Sequence, residues 1–364
     1  MKKGIFLNHK FLDHETIIAS NRNSKNTFTS FESNTIKFYQ EWFSDKPSFV
    51  LQTSGSTGKP KEITFKREQL VASANNTIER FQLKKKKVAL VCLSTDLIAG
   101  KMMMVRALEN DMTIYAVEPS GDPFSGMTTK IHFCAVVPIQ LKKLLSKINK
   151  YNQYFDSDST VIVGGAEIDQ FIIEKSVDFK GNIFHTYGMT ETASHIAVRH
   201  VFGNNTKSTF QALPNVTLGQ DARACLKING AITDFKWVQT NDLVELSDKN
   251  EFKWLGRIDN VINSGGVKII TEQIEHEVRN YLLEKDIDVN FFLAPIPDSH
   301  LGQKMVLCIE NLPDTIQVNL LLEDLKMYLP KYKSPKEIFL FKQFRFTESG
   351  KIDRTRTIKE TQND

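Results

Sequence analysis

The sequence predicts an α/β protein with a large layered N-terminal domain, whose sheet is mostly parallel, and a small α+β domain at the C-terminal end. Short apolar runs alternate with helix-like stretches over most of the chain, a pattern typical of parallel α/β layers. The pattern changes after residues 254–257, and 364 residues exceed one ordinary domain. We therefore predict two domains, residues 1–258 and 259–364.

The elements follow one another in a regular order. Short apolar runs predict strands at residues 49–51, 88–93, 113–117, 133–137, 161–163 and 182–184. Helical stretches between them cover residues 66–81, 100–109, 140–150 and 169–175, and a polar loop covers 203–209. The second domain has predicted helices at 271–283, with one apolar face, and 318–328, beside strands at 291–294, 305–309 and 338–341.

Composition narrows the function classes. With 47 Lys and Arg against 43 Asp and Glu, the formal net charge is +4, too small to indicate nucleic-acid binding. The four cysteines are widely separated and predict buried thiols in a reducing compartment. No apolar run approaches the roughly 18 residues of a membrane span, so we expect a soluble, cytoplasmic protein. Without an H-x-x-x-H pair or a G-x-S-x-G motif, zinc and serine hydrolases are disfavoured.

The segment 51–61, Leu-Gln-Thr-Ser-Gly-Ser-Thr-Gly-Lys-Pro-Lys, carries groups that suit a phosphate chain. Glycines allow a tight turn, hydroxyls donate hydrogen bonds and lysines supply charge. The glycines are too close for a Walker A loop, and Pro60 follows the lysine. A plain Ser/Gly-rich linker is the alternative interpretation. The phosphate-binding candidates are Thr53, Ser54, Gly55, Ser56, Thr57, Gly58, Lys59 and Lys61.

This segment resembles the signature of the adenylate-forming superfamily, which includes acyl- and aryl-CoA ligases, adenylation domains of peptide synthetases, and luciferases. Other segments match that family in its order: Gly164-Gly165-Ala166-Glu167, Tyr187-Gly188-Met189-Thr190-Glu191-Thr192-Ala193, Thr240-Asn241-Asp242-Leu243, the stretch 256–269 and Ser349-Gly350-Lys351-Ile352-Asp353-Arg354. The resemblance implies the family's fold with a shortened N-terminus, a mobile C-terminal domain, and use of ATP, Mg²⁺ and coenzyme A with a carboxylic acid.

The resemblance also implies roles for the nucleotide segments. Those expected around the adenine are Gly164, Gly165, Ala166, Tyr187 and Gly188. Thr190 would lie near the α-phosphate, Glu191 would ligate Mg²⁺, and Asp242 and Arg257 would hold the ribose or a phosphate. Taken singly, the tyrosine is more typical of a core than of a stacking platform. The aspartate is about as typical of a turn, and the arginine could be a surface ion pair.

The C-terminal motifs have implied roles in two half-reactions. Lys351 would bridge the substrate carboxylate and the α-phosphate during adenylation. The small domain would then turn about a hinge at Asp259, bringing Gly265 and Gly266 to a pantetheine tunnel. A solvated lysine and a plain glycine turn are the simpler interpretations of these residues.

The stretch 93–108, with 118–120 after it, resembles the compact o-succinylbenzoate–CoA ligases of menaquinone synthesis. Such an acid needs an aromatic slot, which Met102–Met104 would line unless they are core, and a cation for its unreactive carboxylate. The candidates for that cation site are Lys101, Arg106, and His195 beside Ser194. Asp96 would instead anchor an amino-acid ammonium, so amino-acid adenylation stays an alternative, as does a non-catalytic adenylate sensor.

Overall fold

The computed structural model describes residues 3–20, 28–52, 62–247, 250–346 and 352–361. The helices are α1 (His14–Ala19), α2 (Ser30–Trp42), α3 (Arg67–Phe81), α4 (Ile98–Glu109), α5 (Pro138–Ser146), α6 (Ile148–Tyr151), α7 (Gln170–Lys175), α8 (Thr271–Glu284), α9 (Val318–Tyr328) and α10 (Arg354–Thr361).

The strands of the N-terminal part are β1 (Gly4–Leu7), β2 (Lys10–Asp13), β3 (Ser48–Gln52), β4 (Glu62–Lys66), β5 (Val88–Val91), β6 (Thr113–Ala116), β7 (Phe133–Val136), β8 (Thr160–Val163), β9 (Asn182–Met189), β10 (Ser194–Val201), β11 (Phe210–Ala212), β12 (Val216–Gln220), β13 (Cys225–Gly230), β14 (Val238–Ser247) and β15 (Glu251–Arg257). The C-terminal strands are β16 (Val261–Ser264), β17 (Val267–Ile270), β18 (Phe291–Asp298), β19 (Gly302–Glu310) and β20 (Glu337–Phe341).

The predicted α/β fold is confirmed. In the described part, one sheet has the strand order β12-β13-β14-β15-β11-β10-β9-β8-β7-β5-β6-β1-β2. Strands β1, β6, β5, β7, β8 and β9 are parallel neighbours, and β7 and β8 are buried along their whole length, as expected for strands covered on both faces. Beyond β9 the strands pair antiparallel as far as β12.

Two strands differ from their sequence-based interpretation. The strand predicted at 49–51 is β3, which pairs with β4 in a separate antiparallel hairpin, because it buries Phe49 and Leu51 while Val50 is exposed. Strand β9 continues past the predicted residue 184 to Met189. It does so because its second half pairs with β10, a strand that the sequence analysis did not predict.

The chain leaves the first sheet after Arg257 and enters a second sheet at Val261. There α8 buries its predicted apolar face, Ile274, Val278, Tyr281 and Leu282, in a separate core. All four cysteines are buried thiols. Among the described residues, no helix combines the length and the apolarity that crossing a bilayer would need.

Candidate active site

The predicted nucleotide segments meet at the carboxyl ends of β8 and β9, the usual ligand-binding edge of a parallel sheet. Residues 164–167 follow β8 directly, and Val163 is in register with His185 of β9. Strand β9 ends in a short 3-10 turn, Thr190–Thr192, which exposes Glu191 and leads back into β10. The structure therefore brings the loop 164–167 and the 187–191 segment side by side.

A buried carboxylate joins two of the predicted residues. The Tyr187 hydroxyl donates to Asp242 Oδ2 at 2.6 Å, and Trp254 Nε1 donates to Asp242 Oδ1 at 3.1 Å. Asp242 is 7% exposed, and burial together with this carboxylate raises the pKa of Tyr187. The tyrosine hydroxyl is therefore a fixed donor. The Tyr187 ring stands edge-on to Phe252, at 5.0 Å between centroids.

Arg257 lies between two carboxylates. Its Nη1 is 3.9 Å from Asp242 Oδ1, and its Nη2 donates to Asp259 Oδ2 at 2.7 Å. Asn241 Nδ2 donates to the same Asp259 carboxylate at 3.2 Å. The predicted ribose residues and the predicted hinge residue thus belong to one cluster, joined by hydrogen bonds to Asp259 and by the ion pair of Arg257 with Asp242, located where the chain leaves the first sheet.

These residues fit a nucleotide and one divalent cation. Each Asp242 oxygen already accepts one hydrogen bond and has a further lone pair for a ribose hydroxyl. The loop residues 165–167 are exposed, and Gly165 has φ +92°, which favours glycine. Within the described ranges, no three His, Cys, Asp or Glu side chains are grouped to hold a metal. Mg²⁺ held by one carboxylate and by phosphates needs no such group, and the role of Glu191 in holding it stays a prediction.

We expect Asp242→Asn to raise the KM for ATP about tenfold. Hydrogen-bond donors use both oxygens of the Asp242 carboxylate, whereas the side chain of asparagine has a single acceptor oxygen. The measurement is AMP release at varied ATP concentration. Asp234→Asn is the matched control, because Asp234 forms an exposed ion pair with Lys66 at 2.9 Å. An unchanged KM in Asp242→Asn would contradict the assigned ribose contact.

A second cluster surrounds Arg106 of α4, which is 1% exposed. Its Nε donates to Thr77 Oγ1 at 3.2 Å, and its Nη2 contacts Ser194 Oγ at 2.6 Å and His195 Nδ1 at 3.2 Å. Three of the four candidate substrate residues, Arg106, Ser194 and His195, are therefore in contact. They come together because β10 follows directly on the 3-10 turn and passes α4.

The electrostatics of this cluster are unbalanced. In the part of the chain that the structure describes, Arg106 has only neutral hydrogen-bond partners and no carboxylate. Burial lowers the pKa of Arg106 to about 9, so the guanidinium stays charged at neutral pH. Burial and the neighbouring guanidinium hold the pKa of His195 well below its usual range, so His195 is neutral and accepts through Nδ1. Arg106 is the cation of this group.

The other substrate candidates lie elsewhere. Lys101 is on a different face of α4, where its charged neighbours include Asp96, Glu41, Lys37 and Lys46, so it is not part of the Arg106 cluster. Met102–Met104 are fully buried in the core. Asp96 is exposed, and Ser94 Oγ lies 3.2 Å from its backbone nitrogen. The structure therefore does not place Asp96 in a pocket for an ammonium group.

Only some of the remaining predicted residues can be located. The phosphate-loop candidates, residues 53–59 and Lys61, and the lysine Lys351 lie outside the described residues. Gly265 and Gly266, with φ +57° and +81°, form the exposed turn between β16 and β17. The turn interpretation is therefore correct, and the pantetheine role stays a prediction.

Sequence reasoning missed Thr77, Trp254, His185 and Arg199, which contact predicted site residues. Trp254 had a signal, since it is a rare residue two positions before Gly256 of the Gly256-Arg257 motif. His185 also had one, two positions before Tyr187. Thr77 and Arg199 lie in an ordinary helix and an unpredicted strand, and no local pattern distinguishes them.

Comparison with known proteins gives a family match. The family model of AMP-binding enzymes matches residues 7–219, more than half of the chain. A 2-succinylbenzoate–CoA ligase of Listeria monocytogenes is 27% identical over 341 residues, which cover 87% of this chain and 71% of that protein.

Two solved structures extend the comparison. The acyl-CoA synthetase (AMP-forming)/AMP-acid ligase II-like protein of Dyadobacter fermentans is 38% identical, with a TM-score of 0.63 over 95% of this chain and 97% of that one. The o-succinylbenzoate coenzyme A synthetase of Bacillus subtilis, solved with ATP and a magnesium ion, has a TM-score of 0.71 at 19% identity, covering 85% of this chain and 69% of that one. At that identity the likeness concerns the fold.

Proposed function

The chain belongs to the family of AMP-binding enzymes, and from that premise we propose that it is an ATP-dependent acid–CoA ligase acting on 2-succinylbenzoate (o-succinylbenzoate), as in menaquinone synthesis. ATP, Mg²⁺ and coenzyme A are the proposed co-substrates and cofactor. The names of relatives such as the Listeria enzyme support the acid.

One observation carries the choice of acid. Arg106 is a buried cation with only neutral partners in the described structure. Burying a charge without an opposite charge is costly, and a bound carboxylate would offset that cost. An acid with two carboxylates has one for the reaction and one for Arg106. Ser194 and His195 then hold the guanidinium in place.

The proposed first step forms a mixed anhydride. A carboxylate oxygen of the acid bonds to the α-phosphorus of ATP, and the bond from that phosphorus to the bridging oxygen breaks, releasing pyrophosphate. Asp242 and Arg257 would hold the ribose side, with Tyr187 donating to Asp242 at 2.6 Å. Mg²⁺, when bound, neutralises phosphate charge. Lys351 is proposed to offset repulsion between the carboxylate and the phosphate.

The proposed second step transfers the acyl group. The sulfur of coenzyme A bonds to the acyl carbon, and the bond from that carbon to the phosphate oxygen breaks, releasing AMP. The thiol proton leaves to solvent or to the departing phosphate. Gly265 and Gly266 would line the path of the pantetheine arm after a turn about Asp259. Their exposed turn offers backbone without side chains.

Two alternatives make different predictions. An amino-acid-adenylating enzyme would place a carboxylate deep in the acid pocket, whereas the charged group that contacts the predicted substrate residues Ser194 and His195 is the Arg106 cation. A non-catalytic adenylate sensor would bind nucleotide without releasing AMP. The motif residues Glu191 and Lys351 are both present in the chain, which favours catalysis over sensing.

The test is a substrate panel with the purified full chain, ATP, Mg²⁺ and coenzyme A. The acids are 2-succinylbenzoate, its analogue with the unreactive carboxylate removed, benzoate and free amino acids. We expect AMP and a CoA thioester with 2-succinylbenzoate and at least tenfold lower kcat/KM with the analogue, because the analogue leaves Arg106 unpaired. AMP release only with amino acids would overturn the proposal, and so would the absence of AMP release with every acid of the panel.

A further inference from the structure

The loop 164–167 contacts one buried and one partly buried side chain that no motif includes. His185 Nε2 lies 3.2 Å from the Ala166 carbonyl oxygen, and Arg199 Nε donates to His185 Nδ1 at 3.2 Å. Arg199 Nη2 also lies 3.4 Å from Glu167 Oε2. His185 is 5% exposed and the Arg199 side chain is 19% exposed.

The contacts determine the protonation of the histidine. Because Arg199 Nε can only donate, His185 Nδ1 must accept, and the ring proton is on Nε2, which donates to the Ala166 carbonyl. Burial and the charge of Arg199 lower the pKa of His185 to about 3, so this neutral form persists at neutral pH. The histidine is a fixed donor to the loop.

This donor sets the orientation of one peptide. The Ala166 carbonyl points towards His185, and in a trans peptide the Glu167 N–H points to the opposite side. Residues 165–167 are exposed, so this side of the loop is available to a ligand. A loop without regular secondary structure has few conformational constraints of its own. In this protein the constraints come from side chains of β9 and β10 that contact the loop.

We propose that His185 and Arg199 are positioning residues that hold the loop 164–167 in the orientation that receives the purine of ATP. This inference rests on the proposed function. Arg199 acts through His185, and its guanidinium is itself fixed over the Phe210 ring at 4.8 Å. The exposed pair of Arg199 with Glu167 contributes little by comparison, because Glu167 is 64% exposed.

Two substitutions of His185 separate positioning from general stability. In His185→Gln the amide nitrogen can take the place of Nε2, whereas in His185→Asn the shorter side chain reaches Arg199 but not the Ala166 carbonyl. We expect the Kd of Mg-ATP, measured by calorimetry, to weaken roughly 5- to 30-fold in His185→Asn and Arg199→Met but less than threefold in His185→Gln. With ATP saturating, kcat should change little.

His200→Gln is the matched control, since His200 is on the adjacent strand and its ring stacks with Phe202 away from the loop. Melting temperatures identify a variant that fails to fold. If His185→Asn fails to fold, Arg199→Met tests the same inference. Equal Kd values in His185→Asn, Arg199→Met and the unmodified chain would overturn the inference. A chain that neither binds ATP nor releases AMP would instead overturn the proposed function, and this inference with it.

Discussion

Arg106→Met will lower kcat/KM for 2-succinylbenzoate roughly 30-fold or more, because truncating one member of a buried charged pair costs about 2–5 kcal/mol. The same variant should melt at the same temperature as the unmodified chain or higher. A methionine replaces a buried charge that has only neutral partners in the described structure, and such replacements are often neutral or stabilising. His195 still contacts both Ser194 and Thr77.

The measurements are steady-state kinetics and thermal melting, with two comparisons. The analogue that lacks the unreactive carboxylate should lose little activity in Arg106→Met, because it does not use the guanidinium. Lys101→Met tests the competing cation on the same helix. A large loss in Lys101→Met with none in Arg106→Met would show that the wrong base has been assigned to the carboxylate.

Lys351→Ala is expected to slow adenylate formation roughly 10²–10³-fold while leaving thioester formation from a supplied acyl-adenylate nearly unchanged. Lys351 itself is outside the described residues, but its neighbours are attached to the small domain. Asp353 N–H donates to the Arg345 carbonyl at 2.7 Å, and Arg354 pairs with Glu275 of α8 at 2.9 Å. Withdrawing the lysine between the two steps therefore requires the small domain to move.

The two half-reactions are measured separately, by pyrophosphate release and by thioester formation from synthetic acyl-adenylate and coenzyme A. Lys336→Ala is the control, an exposed lysine of the same domain. Asp259→Pro, at the predicted hinge, should slow thioester formation and leave adenylate formation nearly unchanged, because proline stiffens the backbone. Survival of both half-reactions in Lys351→Ala would remove this lysine from the proposed chemistry.

The fold was predictable where the local sequence pattern indicates each helix or strand. The helix over 318–328 was predicted with its observed bounds, and the buried strands β7 and β8 were found from uninterrupted apolar runs. The antiparallel strands beyond β9 were missed. A half-buried strand is indicated by alternating apolar and polar side chains. A bulge, such as that between Leu243 and Val244, interrupts this alternation and weakens the local signal.

The candidate site, like the fold, was predictable only where short segments of sequence carry the signal. The motifs identified Tyr187, Asp242 and Arg257 from short segments of sequence, and the structure places them together. The contact of Arg106 with Ser194 joins residues 88 positions apart. No local spacing encodes that contact, so the sequence left three candidate bases open.

The amino-acid sequence by itself therefore determined the class of fold, the order of the motifs and the chemistry that those residue types support, because periodicity, turn residues and functional groups are properties of neighbours along the chain. Only the tertiary structure decided which cation is buried without an opposite charge, which histidine is neutral and which side chains hold the loop 164–167. Burial and long-range pairing depend on how distant strands and helices pack, and packing sets both the cost of a charge and the direction of a hydrogen bond.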